Sequence, residues 1–169
     1  MFDCICVFVI PLLVLVYLVW KLYKSGIFDN IEVRVSDNPP FVNKPLIVYY
    51  KHHIGAYKNV GKFMESAKQL MPADVNVFGI YYDNPNVENL LQSVTGVVFG
   101  VDGKDLYDES YAEKLKMAGY EKLVLPAVEA AVVATQKNDG FFSFVALAKF
   151  TYSKINLFIQ VRCPLRLPS

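Results

Sequence analysis

The sequence predicts an α+β domain that follows a single N-terminal transmembrane helix. Residues 4–20 contain no charged side chain, which favours a membrane anchor. Several short runs of β-branched and aromatic residues are typical of strands, and apolar residues recur between them at helical spacing. The chain has 169 residues, of which 54% are hydrophobic, so it suffices for one ordinary domain and a short anchor.

The uncharged N-terminal run predicts a signal-anchor. A cleaved signal peptide is the alternative, but it requires a basic start, whereas Asp3 is the charged residue here. Lys21 and Lys24 follow the run and predict that its C-terminal end faces the cytosol. The short span suits the thin membrane of the endoplasmic reticulum. We therefore expect a single-pass protein of that membrane, with a luminal N-terminus and a cytosolic domain.

The remaining composition bounds the partners and the domain organisation. The formal net charge is +1 and no basic patch lies outside the membrane flank, so nucleic-acid binding is not expected. The three cysteines do not bracket a folded loop, which argues against disulfides. We predict an N-terminus and anchor over residues 1–24, a connector over 25–30, an α/β domain over 31–161 and an irregular tail over 162–169.

The elements of the domain follow from periodicity. The sequence predicts strands over residues 31–35, 46–51, 75–82, 94–101, 123–125 and 130–135. It predicts helices over residues 60–71, 107–118 and 141–159, the last apolar on several faces and therefore largely buried. This order predicts one strand–helix–strand–strand unit over residues 46–101 and a second, incomplete unit from residue 130.

No residue pattern points to catalysis or to a cofactor. His52 and His53 could suggest a metal or a general base, but adjacent strand residues point to opposite faces. No other ligands at metal-binding spacing accompany them. Glu65 and Glu129 lack a partner for acid–base chemistry, so an enzyme ranks behind a binding module.

Aromatic residues at the strand ends are the candidate binding residues. They could line a cleft for a flat apolar ligand, and plain core packing is the alternative. The residues are Tyr49, Tyr50, Tyr57, Tyr81 and Tyr82. A weaker candidate is Phe28 with Ile31, an aromatic-x-x-aliphatic pattern of the kind that adds a strand to a partner sheet in autophagy motifs.

Two segments resemble a known family. Residues 47–57, which include Gly55 and Tyr57, are similar to the strand-to-helix element of GyrI-like domains. Residues 80–85 end in Asp83, Asn84 and Pro85, and together with the anchor they resemble the testis-expressed protein 264 family. Members of that family are single-pass endoplasmic reticulum proteins that act as receptors for selective autophagy of that organelle (reticulophagy).

The resemblance implies a fold and a function. It implies two strand–helix–strand–strand units in a pseudo-twofold pair, forming a cytosolic, non-enzymatic GyrI-like binding domain. It implies two partners, the lipid bilayer and an autophagy ubiquitin-like protein. In that family an acidic tail after the domain recruits the latter, and residues 1–169 contain no such segment. The alternative is a membrane-tethered module that binds a small apolar ligand, as bacterial GyrI-like relatives do.

Overall fold

The computed structural model describes residues 2–83 and 90–162, and the structure is α+β. Its helices are α1 Phe2–Lys24, α2 Val60–Gln69, α3 Glu109–Met117, α4 Phe141–Ala146 and α5 Tyr152–Arg162. A 3₁₀ turn, Tyr57–Asn59, precedes α2, and a π-helical segment, Leu147–Thr151, joins α4 to α5. Its strands are β1 Val33–Ser36, β2 Leu46–Ile54, β3 Val77–Tyr81, β4 Gln92–Val101, β5 Lys104–Asp105, β6 Glu121–Leu125 and β7 Ala131–Ala134.

The chain divides into two compact units. Residues 40–129 form what we call the central unit, and residues 1–39 with 130–169 form the terminal unit. In the described residues, the central unit holds a five-stranded sheet of order β3-β4-β2-β6, with β5 paired to β4, and the terminal unit holds the pair β1-β7. All of these pairings are antiparallel.

A tight turn joins β4 to β5. Asp102 and Gly103 have φ angles of 55° and 75°, the left-handed values that a type I′ turn needs at both central positions. Asp-Gly favours this turn because glycine has no Cβ and aspartate tolerates the left-handed region. The turn therefore fixes the register in which Lys104 pairs with Val101.

The core of the central unit lies on one face of its sheet. Tyr49 of β2 and Phe99 of β4 meet edge to face, with ring centroids 5.0 Å apart. Leu115 of α3 and Ala67 of α2 pack into the same cluster and have no exposed surface. Both helices therefore cover this face through the apolar positions that their periodicity presents.

Hydroxyl groups hold the terminal unit together. Ser143 of α4 donates a hydrogen bond to the carbonyl oxygen of Ser25, just after α1, and accepts one from the amide of Asp139. Gln136, between β7 and α4, donates to the carbonyl of Ser143 and accepts from Thr151 in the π-helical segment. Since Ser25, Ser143 and Thr151 are buried, these bonds satisfy groups that would otherwise destabilise the fold.

The N-terminal helix forms, but it is not a membrane span. Within the part of the chain that the structure describes, no helix is sufficiently long and apolar to cross a bilayer. The predicted transmembrane anchor, and the location in the endoplasmic reticulum membrane, are therefore wrong. The prediction rested on the absence of charge over residues 4–20, a run at the lower end of the roughly 17–25 apolar residues that a span requires. Large apolar side chains between residues 9 and 23 are exposed on α1.

The last helix is more exposed than its composition predicts. No described residue of α5 is buried, and Leu157 and Val161 are 62% and 70% exposed. The sheet beside it has two strands of four residues each, β1 and β7, so it covers only part of the helix. The prediction of a largely buried helix is therefore wrong.

Candidate functional site

A cavity of 260 Å³ opens on the face of the central sheet that α2 and α3 leave uncovered. Its walls are mainly aliphatic and aromatic side chains. The lining residues are Val48, Tyr50, His52, Phe78, Ile80, Tyr82, Val94, Leu123 and Leu125. All of these lining residues belong to the central unit, and each lies in a strand of its sheet or, for Tyr82, directly after one.

Strand alternation determines which residues reach the cavity. Along β2, Val48, Tyr50 and His52 lie on the cavity side, whereas Ile47 and Tyr49 enter the helix-covered core. Successive strand side chains point to opposite faces, so one continuous apolar strand supplies both the core and the cavity. The neighbouring strands contribute in the same way, through Phe78 and Ile80 of β3, Val94 of β4, and Leu123 and Leu125 of β6.

The cavity has a polar margin. The Tyr50 hydroxyl donates a hydrogen bond to Glu121 Oε2 at 3.1 Å. This bond, and then the negative charge of Glu121, raise the pKa of Tyr50 above its ordinary value of 10.0. A second cavity, of 330 Å³, adjoins this margin and is lined by Tyr50, Lys51, His52, Gly119 and Glu121. The open sheet face thus changes from apolar to polar at Tyr50.

The structure separates the five tyrosines of the predicted cleft. Tyr50 and Tyr82 line the cavity. Tyr49 is 1% exposed and belongs to the core. Tyr57 and Tyr81 lie outside the cavity lining and pack against each other, with ring centroids 4.8 Å apart. Two of the five therefore remain as ligand candidates.

Two of the family-motif residues, Gly55 and Asp83, lie just after the ends of β2 and β3. Gly55 directly follows β2, has a φ of 141° and donates its amide to the carbonyl of Leu91 at 2.8 Å. Asp83 follows β3, and its amide donates to the Tyr57 hydroxyl at 3.0 Å. The two segments that carry the resemblance are thus in direct contact. Asn84 and Pro85 lie outside the described residues.

The two adjacent histidines have different surroundings. His52 is exposed and lines the cavity, whereas His53 packs against Phe63 of α2, with ring centroids 4.5 Å apart. His53 Nε2 and Ser93 Oγ are buried and have no hydrogen-bond partner among the described residues, and these two residues pair across β2 and β4. Within the described residues, no group of three His, Cys, Asp or Glu side chains could hold a metal ion.

The candidate autophagy motif lies before β1. Phe28 is 71% exposed, but Ile31 is 8% exposed, so only the aromatic end of the pattern is at the surface. Between them, Asp29 forms an ion pair with Lys137 at 2.9 Å. Recruitment of an autophagy ubiquitin-like protein through these residues stays a prediction.

Several cavity residues were not among the sequence candidates. They are Val48, Phe78, Ile80, Val94, Leu123 and Leu125, together with Glu121 at the margin. Their signal was present as strand alternation, which places Val48 with Tyr50 and Ile80 with Tyr82. Alternation assigns residues to one face or the other, but it does not show which face the helices leave open.

Comparison with protein families, with characterised proteins and with solved structures finds no match to this chain.

Proposed function

We propose that the central unit binds a small, flat, apolar molecule in the cavity on its open sheet face. The observation that carries the proposal is the cluster of apolar and aromatic side chains from four strands around one cavity. Ligand sites are typically concave and mostly apolar, with a few polar groups that orient the ligand. Tyr50 and Glu121 supply such groups at the margin.

The cavity volume limits the size of the ligand. An engineered protein cavity of about 150 Å³ admits benzene, and drug-sized ligands occupy pockets of roughly 300–1,000 Å³. The cavity here, at 260 Å³, lies between these two classes. A ligand of two fused or linked rings therefore fits better than a larger one.

The chemical character of the walls agrees with this ligand class. Tyr50, Phe78 and Tyr82 present aromatic rings that can stack against a flat molecule. The resemblance to GyrI-like domains also supports the proposal, since bacterial relatives hold small apolar molecules.

The experiment is a fluorescence titration of the full chain with the neutral fluorophore phenylnaphthylamine. Leu123 lines the cavity and is 42% exposed, so Leu123→Gln changes the site without opening the core. We expect it to weaken binding about tenfold, which equals about 1.4 kcal/mol. Val124→Gln is the matched control, because Val124 is the next residue of β6, is 57% exposed and is not in the lining.

The control also separates the cavity from other apolar surface. If the fluorophore binds instead to the exposed apolar side chains of α1, its affinity should be the same for both variants. Equal affinities for Leu123→Gln and Val124→Gln, or no saturable binding by the unmodified chain, would contradict the proposed function.

A further inference from the structure

Tyr57 is a candidate binding residue that the cavity does not use. Its ring packs edge-on against Tyr81, with an interplanar angle of 73°, and is absent from the cavity lining. Its hydroxyl, however, lies where the chain leaves β3 and where it enters β4. The hydroxyl therefore contacts the backbone at both ends of the β3–β4 connection.

The Tyr57 hydroxyl makes three polar contacts with this backbone. The Tyr57 hydroxyl accepts a hydrogen bond from the Asp83 amide at 3.0 Å. It also lies 3.0 Å from the carbonyl oxygen of Asp83 and 3.1 Å from the carbonyl oxygen of Gln92. Its single proton is shared between these two acceptors. A hydroxyl has one donor and two lone pairs, so these contacts use its donor and one lone pair.

The same backbone segment holds a wall of the cavity. Tyr82, one residue before Asp83, lines the cavity with a side chain that is 59% exposed. Its amide donates to the carbonyl of Gln92 at 3.2 Å, and the Gln92 amide donates to the Asp83 carboxylate. Tyr82 therefore lies between backbone groups that the Tyr57 hydroxyl binds directly.

We propose that Tyr57 is a positioning residue for the ligand cavity, which acts through Tyr82. By fixing the backbone of Asp83 and Gln92, its hydroxyl holds the Tyr82 ring at the cavity wall. A ring that is already in place binds a flat ligand more tightly, because less conformational freedom is lost on binding. This inference rests on the proposed function.

The test is a double-mutant cycle on phenylnaphthylamine binding by the full chain. Tyr57→Phe keeps the ring contact with Tyr81 and removes only the hydroxyl. We expect it to raise Kd about fivefold, the size of one net hydrogen bond. In a Tyr82→Ala background we expect Tyr57→Phe to have no effect, because the residue through which it acts is gone. Tyr111→Phe is the control, since Tyr111 lies on α3 beside the core.

Amide hydrogen exchange provides a readout that needs no ligand. The Asp83 amide donates to the Tyr57 hydroxyl, so Tyr57→Phe should accelerate its exchange, and Tyr111→Phe should not. Asp83→Ala is the second variant, because it removes the carboxylate bond to Gln92 and leaves Tyr57 intact. Asp83→Ala should also weaken phenylnaphthylamine binding when Tyr82 is present, and it should have no effect on binding when Tyr82→Ala is also present.

The outcomes separate the two proposals. No binding by the unmodified chain overturns the proposed function, whatever the exchange at Asp83. Binding by the unmodified chain with an unchanged Kd in Tyr57→Phe overturns the positioning role alone. A fivefold loss that persists in the Tyr82→Ala background also overturns it, because the effect would then not pass through Tyr82.

Discussion

Gly96, at the centre of β4, lies where the backbone of β2 leaves no room for a side chain. A Cβ there would be 1.9 Å from the carbonyl oxygen of Tyr49 and 2.8 Å from the Cα of Tyr50. Gly96→Ala must therefore separate the two strands, and we expect it to lower the free energy of unfolding by about 3 kcal/mol. Urea denaturation of the full chain measures this loss.

Gly61 is the matched control for that substitution. It lies within α2, and a Cβ there meets nothing within 4 Å. Because alanine favours a helix over glycine, Gly61→Ala should raise stability by about 0.5–1 kcal/mol. If the two variants shift the urea midpoint in the same direction, the tight approach of β2 and β4 is not as described.

The hydroxyl of Tyr50 should titrate late. The hydrogen bond to Glu121, and then the charge of that carboxylate, raise the pKa of Tyr50. Folding raises the pKa of Tyr50, so the neutral hydroxyl contributes to the free energy of unfolding below pH 10.0, the pKa of Tyr50 in the unfolded chain. This contribution is lost as the pH rises through the pKa of Tyr50 in the folded chain. Ultraviolet titration should show a tyrosine with a raised pKa, and this pKa should move toward 10.0 in Glu121→Gln. Identical titration curves for the two proteins would contradict the hydrogen bond.

At the scale of elements, a side-chain hydrogen bond joins the end of the π-helical segment to the residues before α4. Thr151 ends this segment, is 1% exposed and donates to Gln136. Thr151→Val keeps the shape and removes the donor, so we expect a loss of about 1 kcal/mol. Thr151→Ser retains the hydroxyl and should lose less in the same denaturation experiment. A Ser variant that is less stable than the Val variant would contradict a role for this bond.

The elements also show what local sequence determines. Val60 and Ala67 of α2 are buried, and Phe63 and Met64 on the same stripe are half-buried, as their spacing predicts. The Asp102-Gly103 turn forms where the dipeptide favours it. The contacts of the site are different in kind. Tyr57 and Asp83 are 26 residues apart in the sequence, and Tyr50 and Glu121 are 71 residues apart. No local pattern specifies such pairs, because they depend on the register between strands.

For the whole molecule, the sequence shows which residues are apolar, but its local patterns do not predict which of these residues the fold covers. Tyr49 and Tyr50 are adjacent and equally apolar, yet one is in the core and the other lines the cavity. The apolar composition of α1 and α5 predicts burial in a membrane or in a core. In the structure, large apolar side chains of both helices are exposed. Whether an apolar face is covered depends on the tertiary arrangement, which local periodicity and composition do not reveal.

The core between α3 and the sheet stabilises the central unit as a whole. Leu115 has no exposed surface and belongs to the cluster of Tyr49 and Phe99. Leu115→Ala should cost about 2–5 kcal/mol and accelerate amide exchange throughout β2 and β4. Met117→Ala is the control, because Met117 is on the same helix and is 81% exposed. Comparable losses for the two variants would show that α3 does not pack as described.

The most direct test of the ligand cavity is methyl NMR of the full chain with bound phenylnaphthylamine. Intermolecular nuclear Overhauser effects should reach the methyl groups of the cavity side, Val48, Val94 and Leu123, which line one cavity. The methyl groups of Val97 and Leu115 lie in the core on the other face and should show none. Contacts confined to the core methyls or to residues of α1, with none to Val48, Val94 and Leu123, would contradict a ligand site on the open face of the sheet.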